Sequence, residues 1–202
     1  GTQLEATQMT VAETQMPNLL AGGDNRVGIG NVNEIAKRSM AEAKSVIGGA
    51  LAQDQIEIAL IGDVDEAVAI GLVAKTLGAL PKRSAKAAAV APVRFPSDRA
   101  KRTLIHQGKD DQGLLIANWP TTDDSDLKSD IGRDVLAEIF SGELRDLVRE
   151  KMGASYSPNV MSNASNTFPG YGFISANVVA EPDKMDIVVA AVREIAKSLR
   201  DT

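Results

Sequence analysis

Two clusters of turn-forming residues, Gly108-Lys109-Asp110-Asp111 and Phe168-Pro169-Gly170, each interrupt short apolar runs, and a long helical stretch separates them. Tight turns join antiparallel neighbours only, so a chain with two hairpins cannot build an all-parallel sheet. The first hairpin is predicted over 102–107 and 113–119, where Pro120 ends it, and the second over 155–162 and 171–179. Between them a helix is expected from Ser125 or Asp126 to Lys151. Ile131, Val135, Ile139, Leu144, Leu147 and Val148 form its apolar stripe, Ser141-Gly142 a kink and Gly153 its stop.

Upstream, residues 1–30 are polar and glycine-rich, with Gly22-Gly23-Asp24-Asn25-Arg26 reading as irregular connection. A helix with Ile35, Met40, Ala43, Val46 and Ile47 should end at Gly48-Gly49, and 56–61 reads as a buried strand. Asp63 or Asp65 can cap the following helix, which carries Ala67, Ile70, Ala74 and Leu77 and ends at Pro81. Residues 81–98, with three prolines, read as an exposed linker. Pro182-Asp183 opens a last helix that presents Val188, Ala191, Ile195 and Leu199. From Ile56 the order is strand, helix, hairpin, helix, hairpin, helix. It predicts an α+β two-layer sandwich, a mostly antiparallel sheet with helices packed on one face.

Composition narrows the function classes. The chain has 202 residues, no Cys, a single His and a formal net charge of -5. One histidine and no thiol cannot supply the usual ligand set of a zinc site. A sequence pI near 5.0 lacks the positive field that phosphate backbones and anionic membranes attract, so neither nucleic acid nor membrane is an expected partner. No apolar stretch reaches the length of a membrane span.

Most local motifs have an ordinary explanation. Gly28-Ile29-Gly30 lacks the third glycine and the preceding strand of a dinucleotide fingerprint, and neither a P-loop nor a nucleophile elbow occurs. His106 falls on the same strand face as Leu104 and reads as a packed or surface histidine. Asp123, Asp124 and Asp126 lack the spacing of a calcium loop and precede a helix N-terminus, where carboxylates are favoured by the dipole. Arg149, in the last helical turn, and Tyr156, at the start of the next strand, should meet at one end of the sheet. By spacing alone they are a basic residue favouring the helix C-terminus and a tyrosine half-buried on the pleat.

The segment from Val148-Arg149-Glu150-Lys151-Met152-Gly153 to Ala154-Ser155-Tyr156-Ser157-Pro158 resembles the signature of the non-zinc half of pitrilysin/insulinase-type zinc peptidases. Ile61-Gly62-Asp63-Val64-Asp65 with Gly78-Ala79-Leu80-Pro81-Lys82-Arg83, then His106-Gln107-Gly108-Lys109-Asp110-Asp111-Gln112, then Asn118-Trp119-Pro120-Thr121-Thr122-Asp123, are similar to the same family's multidomain bacterial members. The likeness runs from about 24 to 200 in one order. It implies the LuxS/MPP-like metallopeptidase fold and a clamshell in which one half carries zinc on H-x-x-E-H. This chain has no H-x-x-E-H, so it resembles the half without metal: no cofactor of its own, zinc in the catalytic half, and inactivity in isolation.

The same resemblance makes Arg149 and Tyr156 auxiliary catalytic residues that reach the partner's zinc site, with a peptide as substrate. It places the parent enzyme in the periplasm or outside the cell. It also implies a connecting lead-in at 1–30 from a preceding domain and a zinc-free peptidase-like domain over 31–202 that continues past Thr202. Two rival readings stand beside it: a catalytically dead scaffold of the same fold that only completes an assembly, and a small-molecule binding α+β module.

Overall fold

The computed structural model describes residues 5–30, 32–83, 90–152 and 158–201. Its contacts group the chain into two units, 1–32 with 90–202, and 33–89.

In the larger unit the sheet is built of β1 (Gly113–Thr121), β2 (Asn159–Ala164) and β3 (Gly172–Ala180), in the order β1-β3-β2 with both pairings antiparallel. Alternation along β3 sends Ile174, Ala176, Val178 and Ala180 to one buried face. Two helices cover that face, α5 (Leu127–Met152) and α6 (Met185–Asp201), where elements are numbered along the whole chain. Helix α5 contributes Ala137, Phe140, Leu144 and Val148, and α6 contributes Val188, Ala191, Val192 and Ile195, each set at the spacing of one helix face. The Trp119 ring of β1 packs 5.4 Å from that of Phe140, closing the core toward the sheet. Each large aliphatic side chain so buried contributes roughly 1.5–3 kcal/mol. The α+β architecture with helices on an antiparallel sheet is therefore the one the hairpin pattern calls for. No helix among the described residues is long and apolar enough to cross a membrane.

The lead-in differs from expectation. Residues 8–20 form a helix, α1 (Gln8–Leu20), whose Thr7 and Thr10 make a reciprocal capping box and whose Val11, Ala12 and Leu20 are buried. Beyond it Ala21 joins Val93 and Tyr171 in a second small core, flanked by Val27, Phe95, Phe168 and Phe173. Val93, only 3% exposed, takes its part of the supposed linker out of solvent. Arg26 fastens the same region: it is bonded to both carboxylate oxygens of Asp24, donates to the Ala91 carbonyl at 2.8 Å, and lies 5.0 Å over the Phe168 ring.

Three further expectations fail for identifiable reasons. Residues 102–107 are not a strand, and β1 pairs with β3 in place of a local hairpin partner. A register of nine residue pairs with β3 outweighs what a two-stranded ribbon earns by itself. Pro120 lies inside β1, paired opposite Phe173, because β1 is an edge strand of the described sheet, where a missing N–H is tolerated. On α5 the buried stripe is displaced: Ile131, Val135 and Ile139 are 52%, 53% and 48% exposed, while Ala137, Phe140 and Ser141 face inward. The hairpin of β2 and β3 and the face of α6 are as read from the sequence; residues 155–157 lie outside the described region.

The smaller unit, from Asn33, holds all but the first residue of α2 (Val32–Ala36), then α3 (Met40–Gln53) and α4 (Glu66–Lys75). Where one helix was expected, Ser39 and Glu42 form a capping box that starts a second one, and this helix continues past Gly48-Gly49 to Gln53. Of the two candidate caps of α4, Asp65 is the one used, accepting from the Val68 N–H at 2.9 Å. Helix α4 stops at Lys75 and a 3-10 turn over 77–79 precedes Pro81. The apolar run 56–61 is irregular and Ile61 is 97% exposed. A single strand with no neighbour to complete its backbone hydrogen bonds has no reason to be extended.

Candidate functional site at the helix-to-strand handover

Helix α5 delivers its C-terminus to the end of the sheet where β2 starts. Fully buried Leu144 and Val148 hold the last turns against the core, and Val160 anchors the first turn of the pleat on β2. Lys151 Nζ donates to Glu194 Oε2 at 2.7 Å and ties this end of α5 to α6. That link joins positions 43 apart and has no signature in the sequence.

Arg149 projects from the last turn of α5 and is exposed, with no hydrogen bond or ion pair to another described residue. Its neighbour in the chain, Val148, is fully buried, so the turn that carries the guanidinium is fixed while its head is open to solvent. Tyr156 lies outside the described residues, as do the others of 153–157. The structure thus places the arginine of the expected pair and does not describe the tyrosine.

The other end of α5 is a polar knot tied by hydrogen bonds among neighbouring side chains. Asp123 accepts from the Ser125 hydroxyl and N–H and from the Gly170 N–H, and Asp126 caps α5 by accepting from Ser129. These bonds, the Ser125 and Ser129 hydroxyls first, hold both carboxyls below the usual aspartate range. Arg133 completes the knot, donating to Thr122 Oγ1, the Asp123 carbonyl and Asp130 Oδ1. Asp126 is thereby occupied with capping the helix, and Asp123 with tying its lead-in to the Gly170 turn.

His106 is half-buried between exposed neighbours, though not on a strand. Its Nδ1 accepts from the Gly108 N–H at 3.2 Å, which leaves Nε2 to donate to the Gln112 carbonyl at 3.2 Å. Both ring nitrogens serve the loop into β1. No group of three or more His, Cys, Asp or Glu among the described residues is placed to hold a metal ion. With one histidine and no cysteine, the donor set of this chain does not fit zinc.

The α5–α6 layer on the β1-β3-β2 sheet, with a basic helix end handing over to an edge strand, defines a two-layer α+β domain. The chain belongs to the peptidase M16 family: residues 50–202 match the Peptidase M16 inactive domain. The crystal structure of the periplasmic protease PqqL from Escherichia coli is similar to it, with a TM-score of 0.50 and 20% identity. That likeness shows the fold; it covers 68% of this chain and 15% of the PqqL chain, so the present chain spans a small part of that protein's length. No curated protein sequence matches the chain.

Proposed function

We propose that this chain is the non-catalytic partner domain of a zinc metalloendopeptidase, that it closes a peptide-degrading chamber, and that it lends Arg149 and Tyr156 to the catalytic half. The observation that carries the proposal is the match of residues 50–202 to the inactive domain, combined with an exposed guanidinium at Arg149 seven positions ahead of Tyr156. Zinc belongs to the H-x-x-E-H half, outside this chain. The guanidinium offers a planar fork of donors to a substrate carbonyl or carboxylate. The phenol of Tyr156 donates one hydrogen bond to the carbonyl oxygen as negative charge gathers there during hydrolysis. Both groups gain strength once the closed halves exclude water. The substrate class is peptide or unfolded polypeptide, and the compartment is the periplasm, as for PqqL.

Reconstitution tests the reading. This chain and the half that carries H-x-x-E-H are assayed singly and together on a library of quenched fluorescent peptides. Activity is expected only from the pair. If a pair with an intact zinc motif hydrolyses no peptide, the domain is a scaffold. Metal analysis of the dialysed chain should find no stoichiometric zinc; one zinc per chain, lost in His106→Ala, would overturn the assignment.

A further inference from the structure

Aromatic residues are scarce in this chain, only 3% of it, yet four of them stand in one row. The ring centroids of Phe95, Phe173, Tyr171 and Phe168 follow one another at 6.2, 6.1 and 6.5 Å. An arginine lies over each terminal ring, Arg99 at 5.1 Å from the centroid of Phe95 and Arg26 at 5.0 Å from that of Phe168. The two arginines are otherwise unlike. Arg26 uses its donors on both carboxylate oxygens of Asp24 and on the Ala91 carbonyl. Arg99 is exposed and makes no hydrogen bond or ion pair to another described residue.

The stretch around Arg99 is basic in a chain whose net charge is -5: residues 94–102 carry Arg94, Arg99, Lys101 and Arg102 against the single carboxylate of Asp98. That carboxylate is already engaged. It accepts from the Ala100 N–H at 2.8 Å with one oxygen and from Arg102 at 2.8 Å with the other. Arg94, Arg99 and Lys101 are left exposed, with no carboxylate of a described residue to neutralise them. The ring beneath Arg99 is held from below, since Phe95 packs on Phe173 of β3 and Val93, two residues earlier, is buried. A contact with a ring consumes none of the five N–H donors of a guanidinium. The Arg99 fork is therefore steadied in advance and still fully available, which lowers the entropy lost on binding.

We propose that the stretch from Arg94 to Lys101, centred on Arg99 over Phe95, docks an acidic segment of a partner polypeptide. A carboxylate matches the planar fork of a guanidinium with two parallel hydrogen bonds. Three unneutralised cations along one stretch call for several carboxylates, and a polypeptide segment rich in Asp or Glu carries them on one chain. Phe95 and Phe173 are half-buried, so an apolar side chain between the carboxylates has ring surface to cover. Charge also selects the class of partner. A nucleic acid or an anionic bilayer meets the negative field of the whole chain, whereas a short segment meets only the local one within a Debye length.

The test uses this chain without the zinc-bearing half, so its outcome is separate from that of the proposed function. A short fluorescein-labelled peptide of alternating glutamate and leucine is titrated with the chain, and anisotropy is followed. A second probe has glutamine at every glutamate. The acidic probe should bind, and the glutamine probe should bind at least about tenfold more weakly, as expected when charge-assisted hydrogen bonds are lost. Arg99→Ala and Phe95→Leu should each weaken the acidic probe about three- to fivefold, the scale of an exposed ion pair. The double variant should be no weaker than Arg99→Ala, because the ring acts through the guanidinium it positions. Arg193→Ala, which removes an exposed cation of α6, should leave the affinity unchanged, with circular dichroism as the control for folding. Equal binding of the two probes, no binding of the acidic probe at millimolar concentration, or full affinity in Arg99→Ala overturns the proposal. So does Arg99-dependent binding of single-stranded DNA or of phosphatidylglycerol vesicles tighter than that of the acidic probe, which would make the stretch a phosphate site.

Discussion

Asp123, on the loop that enters α5, accepts the backbone N–H of Gly170 at 2.5 Å, and so joins the start of the long helix to the turn between β2 and β3 across 47 positions. The second oxygen of the same carboxylate takes the Ser125 hydroxyl and N–H. One side chain therefore aligns the N-terminus of α5 with the hairpin against which its C-terminal half packs.

Acid should weaken this link. The Ser125 hydroxyl first, then the Gly170 and Ser125 N–H groups, hold the Asp123 carboxyl below its ordinary value. A folded-state pKa below the unfolded one gives stability that is complete above the unfolded value and is lost as pH falls through the folded one. Asp123→Asn, which puts an amide where only an acceptor fits both faces, should lower Tm at neutral pH. It should also flatten the decline of Tm below about pH 4, where aspartates begin to protonate. Calorimetry across that range decides it; superimposable profiles would show that the carboxylate contributes nothing.

Asp24 is the strongest local case. Its pKa is lowered to about 2, mainly by the Arg26 side chain and next by the Arg26 N–H. In Arg26→Ala the carboxyl should titrate nearer the ordinary aspartate range, as read by carbon-detected NMR. In the parent chain the stability from the pair is lost as pH falls through the lowered Asp24 value, and in Arg26→Ala it is absent at every pH. An unshifted Asp24 titration would assign the lowering to another group.

Two glycines should respond in opposite directions to alanine. Gly142, inside α5, has open space where a Cβ would stand, so Gly142→Ala should stabilise by about 0.5–1 kcal/mol through reduced unfolded-state entropy. Gly172, at the start of β3, lies so close to the Thr122 carbonyl that an added Cβ would overlap it. Gly172→Ala should destabilise by roughly 1–3 kcal/mol. Urea midpoints of the two variants measure the contrast, and a loss of stability in Gly142→Ala would mean that the helix needs its freedom there.

In the complete enzyme, Tyr156→Phe should lower kcat and kcat/KM together by roughly 10²-fold, as expected for the loss of one oriented oxyanion donor. Arg149→Lys should cost less and should appear partly in KM, because a single ammonium cannot reproduce the guanidinium fork. Steady-state kinetics on folded variants separate the roles. Parental rates in Tyr156→Phe would return that tyrosine to the half-buried pleat position that spacing alone suggests.

Sequence by itself determined the elements whose signals are local and mutually consistent. The β2–β3 hairpin, the length of α5 and the face of α6 follow from turn residues and from 3.6-residue periodicity, and the missing zinc ligands follow from counting one histidine and no cysteine. The family likeness was legible too, because its motifs are short local stretches that keep one order along the chain. Tertiary structure alone decided the rest. The partner of β1 is β3, 51 or more positions along, and no local turn can announce a pairing at that distance. The buried face of α5 is set by the sheet beneath it, so Ala137 and Ser141 go inside while Ile131 and Ile139 stay out. Residues 8–20 became a packed helix because Val11, Ala12 and Leu20 found a surface to cover. Residues 56–61 became no strand, because their apolar pattern is the same with or without a neighbour and only a neighbour supplies the missing hydrogen bonds.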